Sequence, residues 1–125
     1  MSTLHRPWLL LAALLGLTAV GLAAWAAHGA PAVLDEVHLG MLERGLQMQG
    51  WHALALFGTA LWAERRPGLL PQLAATAFGL GAILFCGAVY SHALRDVSLG
   101  RVAPIGGMLL MAGWALLGAS ALVRR

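Results

Sequence analysis

The chain has no lysine, a single cysteine, a single tyrosine and few charges, and each shortage closes off a class of protein. With Cys86 alone, no intrachain disulfide can form and no zinc-finger pairing of cysteines exists. The basic character comes entirely from eight arginines, set against five acids. They cluster at the ends of apolar runs and build no basic face with readout residues, which excludes a nucleic-acid binder. Charged residues are 10% of the chain and hydrophobic ones 60%, far from the balance of a soluble globule. No paired-carboxylate site, Ser–His–Asp order or phosphate-cradling glycine loop stands out, so no familiar catalytic apparatus is present.

What the chain has instead is four long apolar stretches, roughly Trp8–Ala27, Leu46–Ala63, Leu70–His92 and Ile105–Val123. Crossing a hydrocarbon core about 30 Å thick takes ~20 apolar residues in a helix. Three stretches meet that length outright; the second meets it if Gln47, Gln49 and His52 sit at its mouth. The expected architecture is therefore all-α: one membrane domain over residues 1–125, built as an integral four-helix bundle. Between spans 1 and 2, Val33–Gln47 reads as a short interfacial amphipathic helix, with Leu34, Val37, Met41 and Leu42 as its apolar stripe.

Arginines near the span ends set orientation. Arg6, Arg65, Arg66, Arg124 and Arg125 share one side; Arg44, Arg95 and Arg101 share the other. Both termini are therefore expected in the cytoplasm. The first apolar run exceeds the core of a secretory signal, typically ~7–15 residues, so a retained helix is expected. Span 3 carries Ala75, Gly79, Ala82, Gly87 and Ser91, and span 4 carries Gly106, Gly107, Gly113 and Gly118. Small residues let helix backbones approach closely in lipid, where hydrophobic drive between helices is weak.

The chemistry gathers at one expected membrane face: His28, Gln49, His52, Tyr90, His92 and the Pro104–Gly107 turn, with Glu43 as a further candidate site residue. His28 and His52 form the sharpest pair. Two imidazoles at similar depth fit helix-end capping, metal or haem ligation, or ligand and proton handling. Glu43, Gln49 and His52 could form one hydrogen-bonded network, or Glu43 could simply pair with an arginine in solvent. Tyr90, Trp8, Trp25, Trp51 and Trp62 read as interfacial anchors, and Trp114 as a deeper packing residue. Met108, Met111 and Cys86 are soft donors suited to Cu(I), but read first as packing filler.

Four ordered motifs resemble a known family. They are Ala27-His28-Gly29 after the first span, Leu42-Glu43-x-Gly45 with Gln49-x-x-His52-Ala53-Leu54-Ala55-Leu56 entering the second, Gly81-Ala82-Ile83-Leu84-Phe85-Cys86-Gly87-x-x-Tyr90 in the third, and Pro104-Ile105-Gly106-Gly107 with Gly113-Trp114 in the fourth. The pattern is similar to the small four-span YgdD / transmembrane protein 256 family, named for unknown function. The resemblance implies a bacterial inner-membrane four-helix protein and implies no reaction. His28, Glu43, Gln49, His52 and Tyr90 are the positions it carries over. Gln47, Met48 and Cys86 depart from the pattern, and His38 and His92 stand outside it.

The resulting expectation is a non-enzymatic inner-membrane protein with no cofactor and no metal ligands. It would be an accessory or assembly factor, or a self-associating bundle, with the lipid bilayer and a membrane-protein partner or second copies as its contacts. The alternatives are a small transporter or channel with a polar mouth, and a haem- or metal-binding subunit. Against transport stands the expectation that no span carries an ionisable residue near mid-depth.

Overall fold

The computed structural model describes residues 2–123. Arg124 and Arg125, two of the five arginines counted as cytoplasmic, lie outside the described residues. Four helices account for most of the chain: α1 (Arg6–His28), α2 (Glu36–Arg65), α3 (Leu69–Arg95) and α4 (Val102–Leu122). One 3₁₀ turn, Ala30–Ala32, joins α1 to α2. No strand occurs among the described residues.

The boundaries follow from local chemistry. Pro7 occupies the first turn of α1, where its missing N–H costs nothing. Asp35 caps α2, accepting from the His38 N–H at 2.8 Å, and Glu36 complements the helix dipole behind it. Between α2 and α3, Gly68 adopts φ +149, a backbone conformation side chains rarely allow, which lets the chain reverse within three residues. Asp96 ends α3 in the left-handed region at φ 54, where aspartate is tolerated.

The expected separate interfacial helix is corrected. Val33–Gln47 does not lie apart: from Glu36 onward it is the first half of one continuous 30-residue helix. The reason is where part of its apolar stripe goes. Leu42 is fully buried against Ala26 of α1, Ala30 of the 3₁₀ turn and Ala93 of α3, with Leu34 and Met41 packed beside it, while Val37 stays exposed. Gly45 does not break the helix either, because Tyr90 and Val89 pack directly over it.

Sequential helices run antiparallel. α2 packs between α1 and α3, and α4 packs on α3. The interfaces are built from small residues: fourteen of the nineteen buried hydrophobic residues are alanines, and Phe78, Leu42 and Leu56 are the largest fully buried apolar side chains. α4 closes on α3 where Gly106 faces the Phe85 backbone and Gly113 faces the Phe78 ring. The outer surface is apolar on every helix, with Leu10 and Leu17 on α1, Leu54 and Phe57 on α2, Leu80 and Ile83 on α3, and Met108 and Met111 on α4. An apolar exterior around a small-residue interior is what lipid as solvent selects. By length and hydropathy α1, α3 and α4 qualify as membrane spans. α2 carries Glu43, Arg44, Gln47, Gln49 and His52, which lower its average.

At the end holding the N-terminus, polar side chains tie all four helices. His5 Nδ1 lies 2.5 Å from Glu64 Oε2, and Trp8 donates to Gln72 at 3.0 Å. Trp62 donates to Ser120 at 2.9 Å, and Arg66 donates to the Val123 carbonyl while lying over the Trp62 ring. His5, together with the Ser2 N–H, holds the Glu64 carboxyl below its ordinary range.

Candidate functional site

Halfway along the bundle, two polar networks cross the small-residue interior. The first centres on Gln49, which is only 3% exposed. Its Nε2 donates to the Leu15 carbonyl at 2.8 Å and to Thr18 Oγ1 at 2.7 Å; its Oε1 accepts from the Tyr90 hydroxyl at 2.6 Å. The backbone carbonyl can only accept, so it fixes which end of the amide faces α1. One side chain on α2 thereby links α1 and α3. Thr18 passes its own proton back to the Leu14 carbonyl at 2.8 Å. Cys86, buried beside them, directs its thiol at the Gly45 carbonyl, 3.6 Å away.

The second network is built on His52, also 3% exposed. Its Nδ1 lies 2.7 Å from the Met48 carbonyl, and the Trp114 indole N–H meets its Nε2 at 3.1 Å. A carbonyl must be donated to and an indole N–H must be accepted, so the two contacts together fix a neutral ring protonated at Nδ1. The Phe78 ring packs against both partners, at 5.9 Å from His52 and 5.0 Å from Trp114 between centroids. Protonating Nε2, or placing a metal on it, would displace the Trp114 hydrogen bond.

These positions correct the expected mouth. Gln49 lies level with Leu15 and Thr18 of α1, so it and His52 sit near mid-length, not at the membrane face. His52 is thus an ionisable residue near mid-length of the bundle, where the sequence leads us to expect none. His28 ends α1, exposed, about 13 residues beyond the Leu15 level, on the order of 20 Å of helix rise away. The His28–His52 pair is therefore not assembled. Glu43 is exposed on α2 and joins neither network. Tyr90 is half-buried, with its hydroxyl turned inward to Gln49. Met108 and Met111 face outward and Cys86 inward, so the soft donors do not converge. Trp51 lies beside His52 near mid-length instead of at a span end.

Two participants were missed in the sequence, Thr18 and Trp114. Thr18 is the one hydroxyl of α1. A hydroxyl inside an apolar helix needs an acceptor, as does an indole N–H deep in α4.

A separate cluster lies at the opposite end from the N-terminus. His38, on the first turn of α2, has Nδ1 2.8 Å from Asp35 Oδ1 and Nε2 2.9 Å from Asp96 Oδ1. His92 Nε2, on the last turn of α3, is 3.7 Å from the same Asp96 oxygen. Asp96 first, then Asp35, hold His38 above the ordinary imidazole range. Hydrogen bonds from His38 hold both carboxyls below theirs.

Comparison with known proteins bears on the whole chain. A family model described as "Protein of unknown function (DUF423)" matches residues 22–107. The inner membrane protein YgdD of Escherichia coli K12, of the group termed UPF0382, is 36% identical over 113 residues, covering 90% of this chain and 86% of the relative. The UPF0382 membrane protein YwdK of Bacillus subtilis is 31% identical over 114 residues, covering 90% and 93%. A UPF0382 membrane protein of Haemophilus influenzae is 34% identical over 112 residues, covering 89% and 90%. No solved structure matches.

Proposed function

The chain belongs to the DUF423 family of membrane proteins, and on that premise we propose a non-catalytic, structural role for it in the bacterial inner membrane. All four helices span, both termini are cytoplasmic, and the bundle acts as an accessory or assembly factor alongside a membrane-protein partner or further copies of itself. The observation that carries this reading is the state of the interior. Among the described residues no buried side-chain nitrogen or oxygen lacks a hydrogen-bond partner. Gln49 and His52 have their polar atoms occupied by neighbouring helices or by backbone, leaving none directed at a substrate. Polar groups used this way hold helices together in lipid.

The spanning of α2 is supported by its outer face. Leu54, Phe57 and Leu61 are exposed at the level where the other helices also turn apolar side chains outward. At 30 residues, α2 is about 45 Å long, so its first turns extend beyond a ~30 Å core. On this reading Asp35, Glu36 and His38 lie in water or headgroups on the arginine-poor side. Orientation is supported by the five-to-three arginine count, which includes Arg124 and Arg125.

One observation favours a second reading, a proton or ion pathway: an ionisable His52 at mid-length is a feature of coupled transporters. Purified protein in liposomes carrying a pH gradient separates the two. The structural reading expects the gradient to decay as in protein-free vesicles. Protein-dependent decay that is lost in His52→Gln would replace it with the transport reading.

A further inference from the structure

We propose that His38, His92 and Asp96 form a binding site for a divalent transition-metal ion of the Zn²⁺ type, clamping the start of α2 to the end of α3. One donor atom from each residue lies within 4.8 Å of the other two. Donors on a tetrahedral zinc at ordinary bond lengths sit about 3.4 Å apart. The contacts to Asp96, 2.9 Å from His38 and 3.7 Å from His92, straddle that spacing, so small side-chain rotations close the set. The two imidazoles stand edge to face with centroids 6.1 Å apart, and they come from two different helices.

The second shell is also in place. Asp35 Oδ1 lies 2.8 Å from His38 Nδ1, the carboxylate–histidine contact that fixes ring orientation and aims Nε2 at a metal. Without metal, His38 makes carboxylate contacts through both ring nitrogens, which needs a proton on each. A metal arriving at Nε2 takes the place of that proton, which leaves to solvent. An open depression of about 330 Å³, lined by Asp35, His38, Arg95 and Asp96 among others, gives access from outside. Two carboxylates there offset the Arg95 charge. Three protein donors leave a fourth position for water.

No metal ligand is expected from the sequence alone, and His38 and His92 lie outside the motifs shared with the family. The site would therefore be an addition particular to this chain. It is independent of the proposed structural role, since none of its residues belongs to the interior networks.

The test is calorimetric titration of ZnCl₂ into the full-length, chelator-stripped protein in detergent, purified without a histidine tag. One saturable zinc ion per chain is expected. His92→Ala and Asp96→Asn should each weaken binding at least tenfold. The half-exposed His92 ring makes only the edge contact to His38 and the long 3.7 Å contact to Asp96, so its variant should nearly keep the metal-free melting temperature. Asn caps a helix as well as Asp does, so Asp35→Asn should preserve the fold yet weaken zinc about tenfold through the lost orienting carboxylate. The exposed Glu43→Gln variant should bind as the parent does. Absence of saturable zinc binding in the parent protein, or equal affinity in parent and His92→Ala, would overturn the proposal.

Discussion

Gly106→Ala is expected to lower the stability of the bundle by about 3 kcal/mol or more, the upper part of the range for overpacking a tight interface. A Cβ at this position would stand 2.4 Å from the Phe85 nitrogen and 2.8 Å from its Cα. Both atoms belong to the α3 backbone, so no rotamer change relieves the clash and the helices must separate. Gly81 lies in the same seam, where an added Cβ would meet the Gly106 carbonyl and Leu110 at 3.0 Å. The neighbouring residue is the control. A Cβ at Gly107 would meet only the Phe85 ring at 3.7 Å, an ordinary contact. Removing a glycine from a helix gains roughly 0.5–1 kcal/mol, so Gly107→Ala should be neutral or slightly stabilising. Thermal unfolding in detergent by circular dichroism checks both; equal melting temperatures would mean that α4 does not dock on α3 as described.

The second large effect is expected in the interior networks. Gln49→Leu removes three hydrogen bonds to other helices and leaves the Tyr90 hydroxyl short of a partner in an apolar interior, while Thr18 keeps its bond to the Leu14 carbonyl. Interhelical hydrogen bonds in membrane proteins average ~0.6 kcal/mol each and reach ~1.7, so about 2–3 kcal/mol is the expected loss. His52→Ala leaves the Trp114 N–H without its acceptor and opens a cavity beside Phe78, and should cost a similar amount. His38→Ala, measured without metal, removes exposed ion pairs and an edge contact to His92, and should cost much less than His52→Ala. Equal melting temperatures for His52→Ala and His38→Ala would contradict the assignment of His52 to the interior.

The four helices were legible because length and apolar content decide them almost alone, and the first, third and fourth spans end within a few residues of the runs read from sequence. The continuity of α2 was not legible. Its first half is amphipathic, and whether lipid or other helices cover Leu42 depends on how far α1 and α3 extend, which periodicity does not encode. The same gap misplaced His52. A polar residue near the start of an apolar run looks like a mouth until the helix is known to begin ten residues before that run, at Glu36. The residue types of the interior were visible, but their partners were not: Gln49–Thr18 and His52–Trp114 are separated by 31 and 62 residues and meet only through helix packing. The His38–His92–Asp96 cluster was hidden for the same reason. Its members lie on two helices whose ends come together only when the antiparallel register is set.

At the centre of the bundle lies a buried imidazole whose two nitrogens serve helix contacts. Nitrogen-15 NMR of histidine-labelled protein in detergent or nanodiscs at neutral pH, with the His52 signal assigned by comparison with His52→Gln, reads that state directly. The structure requires a neutral ring protonated at Nδ1, with Nε2 accepting a hydrogen bond that disappears in Trp114→Phe. A ring protonated at Nε2, or an imidazolium, would contradict it and direct attention back to proton or ligand handling at His52.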